Sequence, residues 1–394
     1  MSQTSPRKLL EVLLVFLRLG LTSFGGPVAH LSYFRREFVE RRRWLDEHAY
    51  ASIVALCQFL PGPASSQVGM AIGLMRAGVL GALAAFVAFT APSAILMTGF
   101  ALALGRLGDV ANAPWVHGLK LAAVAVVAQA VWSMARSLTP DVPRALFAVA
   151  AGAAVLLLPF GGTQVAVIAL ASAAGALLLR PSAMAGRPLA LHVPRALGWA
   201  SLALFFALLL ALPLAAHLDR TLAVVDAFYR TGALVFGGGH VVLPLLQKAV
   251  VDPGWIDRSR FLAGYGAAQA MPGPLFSFAA FLGAAMKAPP NGIAGAALAL
   301  GAIYLPSFLL VLGAAPLWSA AQKHARVVAA VTGANAAVVG LLAAALYNPV
   351  WTGAVSAPAD MLIVAVLMIL LLWRNAPPWI VVILGVLFAL VEPR

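Results

Sequence analysis

The sequence predicts an all-α polytopic membrane protein, and three observations carry that prediction: the apolar composition, the long apolar runs and the scarcity of charge. Hydrophobic residues make up 62% of the 394 residues and charged residues 10%, and the mean hydropathy is +0.96. A soluble domain is far less apolar. Apolar runs repeatedly approach the ~20 residues that cross a bilayer as a helix, which predicts about 10–13 helical membrane segments, several of them broken by proline and glycine.

About thirteen apolar segments follow one another along the chain. The first run contains Arg18 and no A-x-A cleavage site follows it, so we expect a retained first helix and not a signal peptide. The short segments at 145–179 and 359–391 predict tightly turned hairpins. The approximate ranges are 12–33, 49–73, 79–104, 111–135, 145–158, 163–179, 197–215, 221–246, 261–285, 293–318, 327–346, 359–373 and 377–391.

The positive charge lies mainly between these segments. The formal net charge is +13, but the basic residues cluster in short gaps such as "YFRREFVERRRW" (33–44). Such gaps are typical of loops that follow the positive-inside rule and contact anionic lipid. We therefore expect membrane lipid as a partner and no nucleic acid. The single cysteine, Cys57, excludes an intrachain disulfide and a cysteine-rich metal site.

The chain contains two copies of one pattern. "FLRLGLTSFGGP" (16–27) aligns with "FYRTGALVFGGG" (228–239), and after a one-residue slip the Pro-Gly-Pro stretches 61–63 and 272–274 also align. Ordered matches of this kind indicate an internal duplication. The aligned pairs include Arg18 with Arg230, Gly25 with Gly237, Gly26 with Gly238, Trp44 with Trp255, Gln58 with Gln269, Pro92 with Pro306, and Ser93 with Ser307.

The copies are expected to have inverted topology. If every segment crosses once, an odd number of crossings separates their equivalent starting points, and the second copy is inverted. Inverted repeats are a transporter architecture, with the substrate site near the midplane where broken helices meet. We assign residues 1–180 to the first repeat, 181–221 to a linker and an extra helix, and 222–394 to the second repeat.

The breaks "CQFLPGPASSQ" (57–67) and "AQAMPGPLFSF" (268–278) lie inside apolar segments. Unpaired backbone at membrane depth is tolerated only where protein or a wet cavity surrounds it. Pro63 and Pro274 suit the first position of a new helix, whose amides form a positive end that attracts anions. A single break of this kind would be read as a hinge or a packing notch. Its duplication, together with the glycine breaks "SFGGP" and "VFGGG", favours an anion site.

Arginine within the apolar segments supports the anion hypothesis, because such a charge usually faces a site or cavity. Snorkelling from a helix end is the alternative for Arg18 and Arg230, and Asp226 could neutralise Arg230. His30 and His240 could carry protons, although a buried hydrogen-bonded histidine is the simpler interpretation. The predicted substrate-binding residues are Arg18, Ser23, Gly25, Gly26, Gln58, Pro61, Gly62, Pro63, Ser65, Ser66, Gln67, Arg230, Gly237, Gly238, Gln269, Pro272, Gly273, Pro274 and Ser277.

Carboxylates are missing around both Pro-Gly-Pro stretches. The sequence has no Asp or Glu between 48 and 108 or between 258 and 359, which disfavours a cation site or a membrane metalloprotease. The H-E-x-x-H, G-x-S-x-G and P-loop motifs are also absent. We expect no catalytic residues, no metal and no cofactor.

The motifs "FLRLGLTSFGGP", "WLDEHAYASIVALCQFLPGP", "WIDRSRFLAGYGAAQAMPGP" and "GANAAVVGLLAAAL" (333–346) resemble the chromate ion transporter family in its long, two-domain form. The resemblance covers roughly 10–135 and 222–346. It implies a carrier in the bacterial inner membrane that exports chromate, a tetrahedral dianion, driven by the proton motive force and without redox chemistry.

The predicted mechanism is alternating access at a midplane pocket between the inverted repeats. Two alternatives stay open: a carrier of sulfate or another oxyanion, and an anion channel that uses the same helix-end chemistry. The sequence does not decide whether the protein forms a homodimer.

Overall fold

The computed structural model describes residues 5–106, 113–158, 163–179, 193–236, 242–318, 324–374 and 376–391, and regular structure in these ranges is helical throughout. π-helical turns lie at Arg36–Arg41, Gln247–Val251 and Leu346–Trp351, and a 3-10 turn at Leu275–Ser277. The α-helices are α1 (Pro6–Thr22), α2 (Gly26–Arg35), α3 (Glu47–Phe59), α4 (Ala64–Arg106), α5 (Pro114–Leu138), α6 (Val142–Leu157), α7 (Thr163–Leu178), α8 (Arg195–Ala215), α9 (Arg220–Leu234), α10 (Val242–Leu246), α11 (Arg258–Ala270), α12 (Phe278–Ala285), α13 (Gly292–Ala314), α14 (Ala325–Ala345), α15 (Thr352–Ala354), α16 (Pro358–Leu372) and α17 (Pro378–Val391).

Among the described residues, 5 helices are long and apolar enough to cross a membrane: α4, α5, α8, α13 and the run Ala325–Ala354. Several predicted spans are instead pairs of shorter helices. The span predicted at 12–33 is one of them, because α1 ends at Thr22 and α2 begins at Gly26. The all-α polytopic fold is confirmed, and its breaks lie within apolar segments.

The helix α4 bends sharply and folds back on itself. Gly78 has φ 66° and ψ −159°, a conformation that is open to glycine and strained for other residues. A Cβ on Gly73 would lie 2.3 Å from the carbonyl oxygen of Gly81, so the two arms touch through their backbones. In the second copy, α12 and α13 make the same contact through Gly283 and Gly295. Each Pro-Gly-Pro turn is therefore followed by a closely packed helical hairpin.

The element order repeats along the chain, which fits the two homologous repeats. Helices α1, α2, α3 and the two arms of α4 correspond to α9, α10, α11 and the α12–α13 pair. Helices α5, α6 and α7 correspond to α14, α16 and α17. Even the π-helical turn recurs, after α2 in the first copy and after α10 in the second. The inverted topology of the copies stays a prediction.

The copies interlock by exchanging their last hairpins. Helix α5 packs against α16 and α17 of the second copy, while α14 packs against α6 and α7 of the first. The contacts are close: a Cβ on Gly118 would lie 2.5 Å from the carbonyl oxygen of Gly385, and one on Gly340 would lie 1.9 Å from that of Ala148. Helix α5 of the first copy and helix α14 of the second therefore each need the other copy's hairpin as a packing partner.

The outward faces of the peripheral helices are apolar. Leu177 on α7 is 79% exposed, and Leu210 and Leu214 on α8 are 70% and 71% exposed. Side chains of this kind on the outside of a helical protein face lipid. Helix α8, which the repeat pattern leaves without a counterpart, packs on α9 and α13.

A chain split within 181–192 tests the exchange of hairpins. We expect each fragment alone to be degraded, because α5 and α14 then expose faces that the other copy covers. Co-expression should restore a stable complex that co-purifies through a tag on one fragment. The measurements are abundance in the membrane fraction and recovery of the untagged fragment. Full accumulation of either fragment alone would contradict the interlocked arrangement.

Candidate functional site

The Pro-Gly-Pro turn of each copy is hydrogen-bonded to the glycine break of the other copy. The amide of Gly62 donates to the carbonyl oxygen of Val235 at 2.6 Å, and the amide of Gly273 donates to that of Ser23 at 2.8 Å. Ser23 follows α1, and Val235 follows the corresponding helix α9. The turns and the described ends of the breaks therefore converge on one centre through two reciprocal bonds.

The backbone at this centre depends on glycine. Gly25 and Gly26 have φ of 99° and 76°, and Gly62 and Gly273 have φ of 123° and 91°. These φ values lie in the left-handed region, which residues with a Cβ rarely occupy. Helix α2 begins at Gly26 and α4 at Ala64, so the first amides of two helices lie next to the breaks.

Both prolines lie one residue earlier than predicted. Pro63 precedes the first residue of α4, and Pro274 is the N-cap of the 3-10 turn, not the first helical residue. Pro274 has an extended backbone, with ψ 135°. The cap position leaves the amide of the following residue, Ala64 or Leu275, as the first donor of the new helix.

A set of buried polar side chains surrounds the two turns, and we call it the central polar cluster. Each of its members has a buried polar atom that makes no full hydrogen bond among the described residues, although Tyr304 interacts with Ser66 and Thr90, and Gln269 with Tyr265. An unsatisfied buried group costs about 1–3 kcal/mol, so a concentration of such groups indicates a place built for a polar ligand. The cluster consists of Ser23 Oγ, His30 Nε2, Ser66 Oγ, Gln67 Oε1, Thr90 Oγ1, Gln269 Nε2, Tyr304 Oη and Ser307 Oγ.

Contacts around the first turn join the cluster to Gly62. The side-chain nitrogen Nε2 of Gln67 donates to the carbonyl oxygen of Pro61 at 2.7 Å, which orients this fully buried side chain. A Cβ on Gly62 would lie 2.6 Å from Gln67 Nε2 and 2.7 Å from Ser307 Oγ. Ser307 belongs to α13 of the second copy, so the first turn lies against hydroxyls of both copies.

Contacts around the second turn have the same form. A Cβ on Gly273 would lie 3.0 Å from Ser93 Oγ, and Ser93 is the repeat counterpart of Ser307. Nearby, the Tyr304 hydroxyl lies beside Ser66 and Thr90. The two turns thus share one environment that neither copy completes alone.

Space at this centre is small. The cavity lined by Gly25, Gly26, Gln269 and Gly273 has a volume of about 10 Å³. One water molecule needs about that much room, and an oxyanion needs more. The structure therefore shows the centre in a closed conformation.

The predicted binding residues divide into those at the centre and those away from it. Gln269 is buried and lines the small cavity, whereas its counterpart Gln58 is exposed. Gly237 and Gly238 lie outside the described residues. Those at the centre or buried in the segments next to it are Ser23, Gly25, Gly26, Pro61, Gly62, Pro63, Ser65, Ser66, Gln67, Gln269, Pro272, Gly273, Pro274 and Ser277.

Both arginines are paired with carboxylates. Arg18 donates to the buried Glu37 of the first π-helical turn, and Arg230 donates to the buried Asp226 one helical turn earlier. Their side chains are 47% and 46% exposed. Arg230 also lines a cavity of about 470 Å³ together with Lys248 and residues of α9. A role for the arginines in offsetting substrate charge stays a prediction.

Sequence reasoning missed four hydroxyl groups near the turns: those of Thr90, Ser93, Tyr304 and Ser307. Thr90 and Ser93 lie one helical turn apart on α4, and Tyr304 and Ser307 occupy the aligned positions on α13. The aligned Pro-Ser pairs were used only as evidence of duplication. A polar pair at i, i+3 at the same place in two apolar helices is the signal that identifies them.

Comparison with known proteins places these motifs in a family. The chromate transporter family model matches residues 10–179 and 222–390. The chromate transport protein of Pseudomonas aeruginosa is 29% identical, over 94% of this chain and 89% of its own length. That of Cupriavidus metallidurans is 27% identical, over 93% of this chain and 88% of its own length.

A third relative, described as a probable chromate transport protein of Synechococcus elongatus, is 27% identical over 84% of this chain and 82% of its own length. No solved structure matches the chain. Since the family match covers both copies, the chain belongs to the chromate transporter family, whose members are multi-pass membrane transport proteins and not enzymes.

Proposed function

We propose that this protein exports chromate across the bacterial inner membrane, with the central polar cluster as its binding site. The observation that carries the proposal is the reciprocal bonding of each Pro-Gly-Pro turn to the other copy's break, amid buried polar groups with unused hydrogen-bonding capacity. The proposed substrate comes from the relatives, because those of Pseudomonas aeruginosa and Cupriavidus metallidurans are named chromate transport proteins.

The cluster suits a tetrahedral oxyanion chemically. Such an anion accepts hydrogen bonds at four oxygens, and the hydroxyls of Ser66, Thr90, Tyr304 and Ser307 can each donate one. The amides that begin α2 and α4 add the positive ends of two helices. Asp and Glu, which would repel an anion, are absent from both Pro-Gly-Pro segments of the sequence.

The closed centre supports a carrier that alternates between two open states. A cavity of about 10 Å³ gives an oxyanion no continuous path, so the copies must move apart for it to enter. The reciprocal bonds and exchanged hairpins are what a two-fold relation between the copies produces. We place that axis in the membrane plane, as in other transporters with inverted repeats, so that rocking of one copy on the other exposes the site to either side.

Export of a dianion is favoured by the electrical part of the proton motive force. Each elementary charge moved across the membrane gains about 2.3 kcal/mol per 100 mV, so a dianion leaving a negative interior gains about 4.6 kcal/mol. The half-exposed Arg18 and Arg230 would then act along the path of the anion and not at its buried stopping point.

Purified protein in sealed proteoliposomes tests this function. We expect labelled chromate to move toward the positive side of an imposed membrane potential, against its own gradient. Empty liposomes are the control. An anion channel would also let chromate follow the membrane potential, so a second arm imposes a pH gradient: uphill accumulation driven by that gradient would exclude a channel. Sulfate that competes at equal concentration and is itself moved would favour a general oxyanion carrier.

A further inference from the structure

The binding of a dianion at the centre raises a question of charge. Both arginines are already paired with carboxylates. In the described part of the central polar cluster, the side chain that becomes positive by taking up a proton is that of His30. A buried dianion without a compensating positive charge is costly. His30 is therefore positioned to supply that charge.

The surroundings of His30 suit a proton that is present only when an anion is present. The side chain is 1% exposed, and its Nδ1 lies 3.3 Å from Ser65 Oγ. Its Nε2 makes no full hydrogen bond among the described residues, and the backbone of Ser23 interacts with the ring. The ring also packs edge-on against Phe89, with centroids 5.3 Å apart. All these neighbours are uncharged, so an imidazolium here lacks a negative counter-charge until an anion arrives.

Charged groups on the neighbouring elements are engaged with one another. On α1 and the following π-helical turn, Arg18 pairs with Glu37, and on α4 Arg76 pairs with Glu11. The rings of Phe16, Phe34 and Phe89 pack together, and the Phe89 ring also contacts the His30 ring. On the described part of the second copy, the titratable groups at the centre include the hydroxyls of Tyr304 and of Tyr265, which interacts with Gln269.

We infer that His30 takes up one proton from water when chromate binds, carries it across with the anion, and releases it with the anion on the other side. This inference rests on the proposed function. The proton forms a bond to the free imidazole nitrogen and no other bond changes. Because anion and proton each raise the affinity for the other, their binding is coupled reciprocally. The exported unit then has a net charge of one, and acid inside the cell favours export.

The distribution of chromate at equilibrium measures the coupling. In proteoliposomes of the full chain clamped at 100 mV without a pH gradient, one net charge gives a ratio of about 50-fold and two charges about 2,500-fold. At mildly alkaline pH, where chromate itself is a dianion, we expect the wild type to reach the lower ratio. A pH difference of one unit should shift that ratio about tenfold. A pH dye should report one proton taken up per chromate bound by the detergent-purified protein.

Variants assign the proton to its residue. His30→Gln and His30→Asn should bind chromate more weakly, take up no proton, and reach the two-charge ratio where they transport. His117→Gln is the matched control, because His117 is a second buried histidine and is paired with Asp360 at 2.6 Å; it should keep proton uptake. A wild type at the two-charge ratio without proton uptake would overturn the inference. Proton uptake that survives in both His30 variants, or is lost only in His117→Gln, would do the same. Absence of any chromate movement by the wild type would instead refute the proposed function.

Discussion

Alanine at Gly62 or Gly273 is expected to reduce chromate transport tenfold or more while the protein still inserts into the membrane. A residue with a Cβ is strained at their positive φ values of 123° and 91°, at a cost of about 1–3 kcal/mol each. The new methyl group would lie 2.6 Å from Gln67 Nε2 at the first site and 3.0 Å from Ser93 Oγ at the second. Because the contacts are closer at Gly62, its substitution should be the more damaging.

The loss follows from the position of these amides. Each turn holds the other copy by one backbone hydrogen bond, and a shifted turn breaks that bond and displaces the first amides of the next helix. Uptake of labelled chromate into proteoliposomes, normalised to reconstituted protein, is the measurement. We expect the transport rate to fall tenfold or more, because a rise of about 1.4 kcal/mol in the activation free energy already slows a step tenfold.

Two glycines in equivalent helices are matched controls. Gly99 in α4 and Gly301 in α13 are exposed, and a Cβ at either meets nothing within 4 Å. Alanine there should leave transport unchanged, since it favours a helix over glycine. If the turn variants transport as fast as Gly99→Ala and Gly301→Ala, the turns are not part of the site.

The breaks and the duplication could be predicted because they are written in local residue types. Proline lacks an amide donor and glycine admits positive φ, so "LPGP" and "FGG" constrain the backbone wherever the chain goes. Their recurrence in a second copy excluded chance. The closed helical hairpins after the turns follow from the same local chemistry, with Gly78 at the bend of the first.

The partners across the copies could not be predicted. The bond from Gly62 to Val235 and the packing of α5 on α17 depend on the tertiary arrangement, which one sequence without an alignment does not contain. The two glutamines show the same limit. Gln58 and Gln269 are aligned, yet one is exposed and the other buried, because the copies have different neighbours at this point.

The carboxylate that pairs with Arg18 could not be predicted from the repeat pattern either. Glu37 lies seven residues before Trp44, and the residue seven before the aligned Trp255 is Lys248. The second copy therefore cannot use the same ion pair, and Arg230 pairs with Asp226 on its own helix instead. Both copies have the arginine and the π-helical turn, but the carboxylate that pairs with the arginine lies on a different element in each copy.

Glutamine at Glu37 is expected to destabilise the folded protein by about 3 kcal/mol, the low end of the loss for a broken buried ion pair, because its arginine partners reach solvent. Glu37 has a side chain only 5% exposed and pairs with Arg18, Arg41 and Arg42. The neutral amide would leave these three guanidinium groups close together without their shared anion. The measurement is the thermal unfolding midpoint of the detergent-purified protein.

The pH dependence of stability should show the same interaction. Burial raises the pKa of Glu37, but the hydrogen bond from Arg42 and the charge of Arg18 outweigh it, so the pKa is lowered overall. A carboxyl whose pKa is lower in the folded state stabilises the protein above its unfolded value, ~4.3, and this contribution is lost as the pH falls through the folded value. Wild type and Glu37→Gln should therefore converge in stability on acidification. Glu47→Gln, which removes an exposed partner of Arg35, should change little at any pH. If Glu37→Gln unfolds at the temperature of Glu47→Gln near neutral pH, Glu37 does not hold the first π-helical turn against α1.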